Sequence, residues 1–218
     1  MGKTNDLLRR GIKIFAGILL LLFDAALLVS LFFEFKKIRW FKGAGMLFLC
    51  GIAAFALVNL FSKGRPFLYV FAHEVSHAIA SFLTGSKVHS IYVSGSGGTT
   101  KTEKSNLLIL LFPYVFPFFS ILILLLYWAL DWAGDAYRIQ PYFYFLIGFT
   151  LTHHLFLTCY FIFKGQSDIR KAEPILALGL VVFLNAVILA AIAGNLFPDI
   201  SVMRTLGRGL WFYKELLT

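Results

Sequence analysis

The sequence predicts an all-α polytopic membrane protein: about six transmembrane helices, a short Gly-rich β-hairpin-like insertion after the third, and an amphipathic helix at the C-terminus. Three observations carry that reading. Of the 218 residues, 59% are hydrophobic and only 14% are charged, with a mean hydropathy of +0.81. The charged residues gather between apolar runs long enough to cross roughly 30 Å of hydrocarbon at about 20 residues each. One polar, Gly-rich, β-prone stretch, residues 86–105, interrupts them. A soluble domain is excluded by this composition. The net charge of +9 lies in short loops and at the ends of apolar runs, where it meets membrane lipids rather than nucleic acid. Cys50 and Cys159 each stand alone inside an apolar run, which is neither a disulfide framework nor a thiolate metal site.

Taken in order, the basic N-terminus (Lys3, Arg9, Arg10, Lys13) leads into a first span over about residues 12–33. That run is too long for a signal peptide and has no small-residue cleavage pattern, so it reads as a retained helix. Asp24 near its middle is expected to face protein, as the pairing partner of another helix. A short basic turn, residues 34–42, precedes span two at 43–61, and Ser62-Lys63-Gly64-Arg65-Pro66 reads as a tight connection. Span three starts at Phe67 and ends near Thr84-Gly85. Then Val88 to Val93 reads as a strand, residues 94–98 as a turn and Thr99 to Glu103 as a return strand. Span four, about 106–130, holds Pro113 and Pro117 in its first half; each removes a backbone donor, so a kink is expected. The loop at 131–141 is followed by span five at about 142–163, with His153 and His154 near its centre. Adjacent helical residues point about 100° apart, so at most one of these histidines is expected to approach a site easily. Span six covers about 175–193. Beyond Pro198, the recurrence of Ile200, Met203, Leu206, Leu210, Tyr213 and Leu217, with Arg204 and Arg208 on another face, predicts an interfacial amphipathic helix, its alternative being a partner-binding helix.

Chemistry concentrates in span three, at His73-Glu74-Val75-Ser76-His77. Histidines four apart share one helix face, so their rings can converge on a single Zn²⁺, while the adjacent glutamate can activate a water. Ionisable groups in a membrane segment are expensive, which favours this over two histidines bonded to helix carbonyls. A hydrolytic zinc site needs three protein ligands and an open position. Asp168, where span five has ended and Gly165 allows a turn back, is the candidate third ligand; its alternative is an N-cap. The hairpin next to the motif can hold an unwound peptide by backbone hydrogen bonds, which makes Gly97 and Gly98 substrate-binding candidates; the alternative is a solvated loop, since Gly-Ser turns are common in both.

His73-Glu74-Val75-Ser76-His77 followed by the small residues Ala78 and Ala80, the Gly97-Gly98-Thr99 turn after a short strand, and Ser167-Asp168 beyond two further spans together resemble the site-2-protease family of intramembrane zinc metalloproteases, in its compact bacterial-type branch. The resemblance covers about residues 67–172. It implies a three-helix core in which His73, His77 and Asp168 bind zinc and Glu74 is general base and then acid. It also implies a transmembrane protein substrate, cut within or near the bilayer of a bacterial-type cell membrane, and a histidine-bearing helix that runs inward with the hairpin on the cytoplasmic side. Lys and Arg divide evenly between the two sides of that arrangement. Three segments follow: residues 1–66 with two N-terminal transmembrane helices, 67–173 with the metalloprotease-like core, and 174–218 with the sixth span and the C-terminal helix. The other class that the residues allow is a non-proteolytic metal-binding membrane protein, a transporter or inactive scaffold relative, since Asp24, His153 and His154 also lie within spans.

Overall fold

The computed structural model describes residues 2–61, 67–95 and 97–217. The turn expected at residues 62–66, and Ser96 of the hairpin turn, lie outside them. The described chain is helical apart from one two-stranded sheet: α1 (Gly2–Phe35), α2 (Gly43–Phe61), α3 (Phe67–Leu83), β1 (Val88–Ser94), β2 (Gly97–Thr102), α4 (Leu107–Val115), α5 (Phe118–Trp132), α6 (Ala136–Phe163), α7 (Ser167–Lys171), α8 (Pro174–Leu196) and α9 (Val202–Leu217). Among the described residues four helices are long and apolar enough to cross a membrane, namely α1 (from Asn5), α2, α6 and α8, and five spans result if α4 and α5 count as one broken crossing. The protein is an integral, multi-pass membrane protein. The count stands at four or five rather than about six because α3, at 17 residues, is about 25 Å long, short of a full crossing.

The chain divides into two compact units, residues 1–39 with 167–218, and residues 40–166. In the first unit α1 packs on α8 and α9. Leu27 and Leu31 of α1 bury against Ala186 and Ala190 of α8, with Phe23, Phe183, Val202 and Leu206 around them. Small residues on one helix admit bulky ones from the next, the packing that joins helices where lipid removes the hydrophobic drive. Helix α9 runs back along α1: the Ser30 hydroxyl donates to the Thr205 carbonyl at 2.7 Å, and Phe23 meets Tyr213 edge to face at 5.5 Å.

Glu34 closes that pairing. It is fully buried, with Lys37 at 2.6 Å, Arg204 at 3.3 Å and Arg208 at 3.4 Å. The sequence reads Glu34 only as the start of a basic turn. Two of its three cations, Arg204 and Arg208, arrive from α9. Thr205 and Gly209 are buried, whereas Met203 and Leu210 are exposed. The apolar stripe counted from sequence includes residues that point away from the protein, as lipid-facing positions do. Asp24 is 2% exposed, as expected of an acid that faces protein. Neither carboxyl oxygen has a hydrogen-bond partner among the described residues, so the expected pairing with another helix is not made there.

In the second unit α2 and α6 approach through glycine. A Cβ on Gly51 would lie 2.1 Å from the Phe145 carbonyl oxygen, and one on Gly148 would lie 2.2 Å from that of Phe48. Backbone on one helix touches backbone on the other, and only the missing side chains make room. Gly148→Val is therefore expected to lower stability by roughly 3 kcal/mol or more through overpacking, seen as a lower midpoint of thermal unfolding in detergent micelles. Pro113 and Pro117 do what the sequence predicts: the span breaks at residues 116–117 and α4 and α5 diverge by 70°. Asn106 starts α4 as its N-cap, its side chain accepting from the Ile109 amide at 2.8 Å. Gly134, at φ 82°, turns the chain from α5 into α6, which begins before the expected loop ends. The two helices are joined by Ser120 and Thr150 hydroxyls at 2.9 Å and by stacking of Tyr127 on Phe143.

The hairpin is antiparallel, with Ile91 opposite Thr100, Val93 opposite Gly98 and Ser94 opposite Gly97. Gly97 and Gly98 thus open the return strand instead of forming the turn, since β2 begins at Gly97, paired with Ser94. Both strands pack on α3.

Candidate metal centre

The α3 sequence places His73 and His77 one turn apart, and their rings sit 4.8 Å apart at 85°. His73 is buried at 9% exposure and His77 is partly buried. Each ring has one nitrogen already engaged. His77 Nδ1 lies 2.8 Å from the Ile109 carbonyl of α4, an oxygen that can only accept, so the proton sits on Nδ1 and Nε2 is the atom that can bind a metal. His73 Nδ1 lies 3.4 Å from the Tyr69 hydroxyl, and the edge of its ring meets buried Tyr114. A metal-binding histidine is usually oriented in this way, through the ring nitrogen that does not face the ion.

Glu74 lies between the histidines in sequence but turns toward the sheet. It is 6% exposed. The Thr100 hydroxyl of β2 is 2.7 Å from Glu74 Oε2 and 3.0 Å from the Glu74 carbonyl. Gly98 sits against the same side chain: a Cβ there would fall 2.5 Å from Glu74 Cγ and 2.8 Å from Oε1. Of the two candidate glycines, Gly98 is thus placed directly beside the motif. Gly97 is one residue further toward the turn, its carbonyl accepting from the Ser94 hydroxyl at 2.7 Å.

Asp168 is the second residue of the five-residue helix α7, which follows Gly165 at φ 73° at the end of α6, and its carbonyl accepts from the Ala172 amide. It is partly buried. The N-cap of the following helix is Glu173 instead, whose side chain accepts from the Leu176 amide. His73 and His77 belong to the second unit and Asp168 to the first, two residues past Gln166. Two imidazoles and a carboxylate fit a borderline ion such as zinc. The oriented His77 ring is the structural sign that the fit is built in.

His153 and His154 also come near. Together with His73, Tyr69, Ser76 and Thr150 they border a cavity of about 20 Å³, enough for roughly one water molecule. Both histidines line this cavity, which His77 does not. A small cavity at a helix crossing touches more than one helix face. His153 is packed among Phe55, Tyr69 and Phe119 rings.

Residues that the sequence reading missed are Thr100, Tyr69 and the Ile109 carbonyl. Thr100 alone left a trace, as an inward position two residues after Gly98 in a strand of alternating side chains.

Compared with protein-family models, the chain matches the one described as Peptidase M50B-like over residues 46–166. The match contains α3 with its motif, the hairpin and α4 to α6, and stops two residues before Asp168. No curated protein and no solved structure matches.

Proposed function

The chain belongs to the Peptidase M50B-like family, which is the site-2-protease family of membrane metallopeptidases, and from that premise we propose that it is a zinc-dependent intramembrane endopeptidase that hydrolyses peptide bonds of a transmembrane protein substrate within or near the bilayer. The observation that carries this reading is the division of labour on α3: two oriented imidazoles turn toward each other, while the carboxylate between them is buried and held by the hairpin.

On this reading His73 and His77 hold the ion through Nε2, and Asp168 completes the protein ligands. The ion, when bound, supplies Lewis-acid polarisation of the scissile carbonyl. Glu74 takes the proton of the attacking water and passes it to the leaving nitrogen, so that the amine departs neutral. The hairpin holds the substrate extended by main-chain hydrogen bonds at a strand edge, exposing an amide that a helix would shield. Gly98 keeps the space beside Glu74 Oε1 clear. Gly98→Ala is expected to displace that carboxylate and lower kcat about 100-fold with zinc content unchanged, measured by elemental analysis beside reporter cleavage.

The reading is tested by following a membrane-anchored reporter in vesicles with wild type and with Glu74→Gln. Cleavage by wild type alone supports it. Metal flux into the vesicles without cleavage, indifferent to Glu74→Gln, would instead favour a transporter.

A further inference from the structure

Side chains alternate across a strand, so Gly98, Thr100 and Thr102 share one face of β2 and Thr99 and Lys101 the other. Exposure follows that division: Thr99 and Lys101 are exposed, and Gly98, Thr100 and Thr102 are partly buried. The inner face meets Glu74 at two successive positions. Gly98 offers only a Cα where a Cβ would strike Cγ and Oε1, and Thr100 offers a hydroxyl 2.7 Å from Oε2. Among the described residues that hydroxyl is the hydrogen-bond partner of the carboxylate. The two oxygens of Glu74 are therefore unequal: Oε2 is gripped, and Oε1 lies over the glycine.

A glutamate has three rotatable bonds to its carboxylate, and fixing them costs entropy. A hydrogen bond to an ionised oxygen is roughly twice as strong as one between neutral groups, which suits it to hold a single orientation. We propose that Thr100 is a positioning residue for the hydrolytic reading above: it anchors Glu74 Oε2 and so aims Oε1 at the reacting water and the leaving nitrogen. The strand that lies against a bound peptide and the strand that aims the proton carrier belong to one hairpin. Register between peptide and carboxylate is then set by β2, not by α3 alone.

Thr100→Val keeps the shape and removes the hydroxyl, and Thr100→Ser keeps the hydroxyl and removes the methyl. With the membrane-anchored reporter, Thr100→Val is expected to lower kcat by about 10- to 100-fold with KM within about twofold, and Thr100→Ser to restore most of the wild-type kcat. A double-mutant cycle needs no turnover: in metal-free protein, Thr100→Val is expected to lower the unfolding midpoint more when the Glu74 side chain is present than in Glu74→Ala, where only the main-chain carbonyl of residue 74 is left to accept from Thr100. Unchanged kcat in Thr100→Val, equal damage in Thr100→Ser, or additive effects in the cycle would each overturn the proposal. If wild type itself left the reporter intact, the hydrolytic reading would fail, and the cycle would still decide whether Thr100 grips Glu74.

Discussion

Glu74→Gln is expected to cut reporter cleavage about a thousandfold or more while the protein still folds and still holds about one zinc per chain. The amide is the same size as the carboxylate, so it fits between Gly98 and β2. Its oxygen can still accept from the Thr100 hydroxyl. What it cannot do is take a proton from water at neutral pH and return it to the leaving nitrogen, and both halves of the reaction need that transfer. Equal processing by wild type and variant would remove Glu74 from the mechanism, however well placed it is.

His77→Ala is expected to empty the metal centre. On the proposed reading the side chain supplies one of three protein ligands, and its ring is the one whose tautomer is set by a main-chain oxygen, Ile109 at 2.8 Å. Elemental analysis after dialysis should fall from about one zinc per chain to close to none. Added zinc should raise the unfolding temperature of wild type, since a ligand that binds only the folded state stabilises it, and leave His77→Ala unmoved. Asp168→Ala, run alongside, is expected to behave in the same way. Retention of the ion in that variant alone would assign the third ligand elsewhere; retention in both would dismantle the ligand set.

The candidate motif on α3 was legible because it is local. His73, Glu74 and His77 lie within one and a half turns of a single helix, and helical periodicity is enough to put two of them together. The break at Pro117 was legible for a similar reason, since a missing donor acts on its own turn. Partners from distant sequence were not legible. Thr100 lies 26 residues from Glu74, the Ile109 carbonyl 32 residues from His77, and Arg204 170 residues from Glu34. A threonine in a strand or an arginine on an amphipathic helix has many equivalents along the chain, and nothing in its own neighbourhood marks it. On α9 lipid and protein both select apolar side chains, so hydrophobicity alone cannot tell exposed Met203 from partly buried Leu206.

By itself the sequence determined that this chain lives in a bilayer and that one of its helices carries a paired-histidine and glutamate motif, because composition and short-range spacing are properties of the chain before it folds. Only the tertiary structure decided which ring nitrogen of His77 is spoken for, which oxygen of Glu74 is held, and that Gly98 belongs to a strand pressed against it. Those are matters of angstroms between segments far apart in sequence, and packing alone sets them.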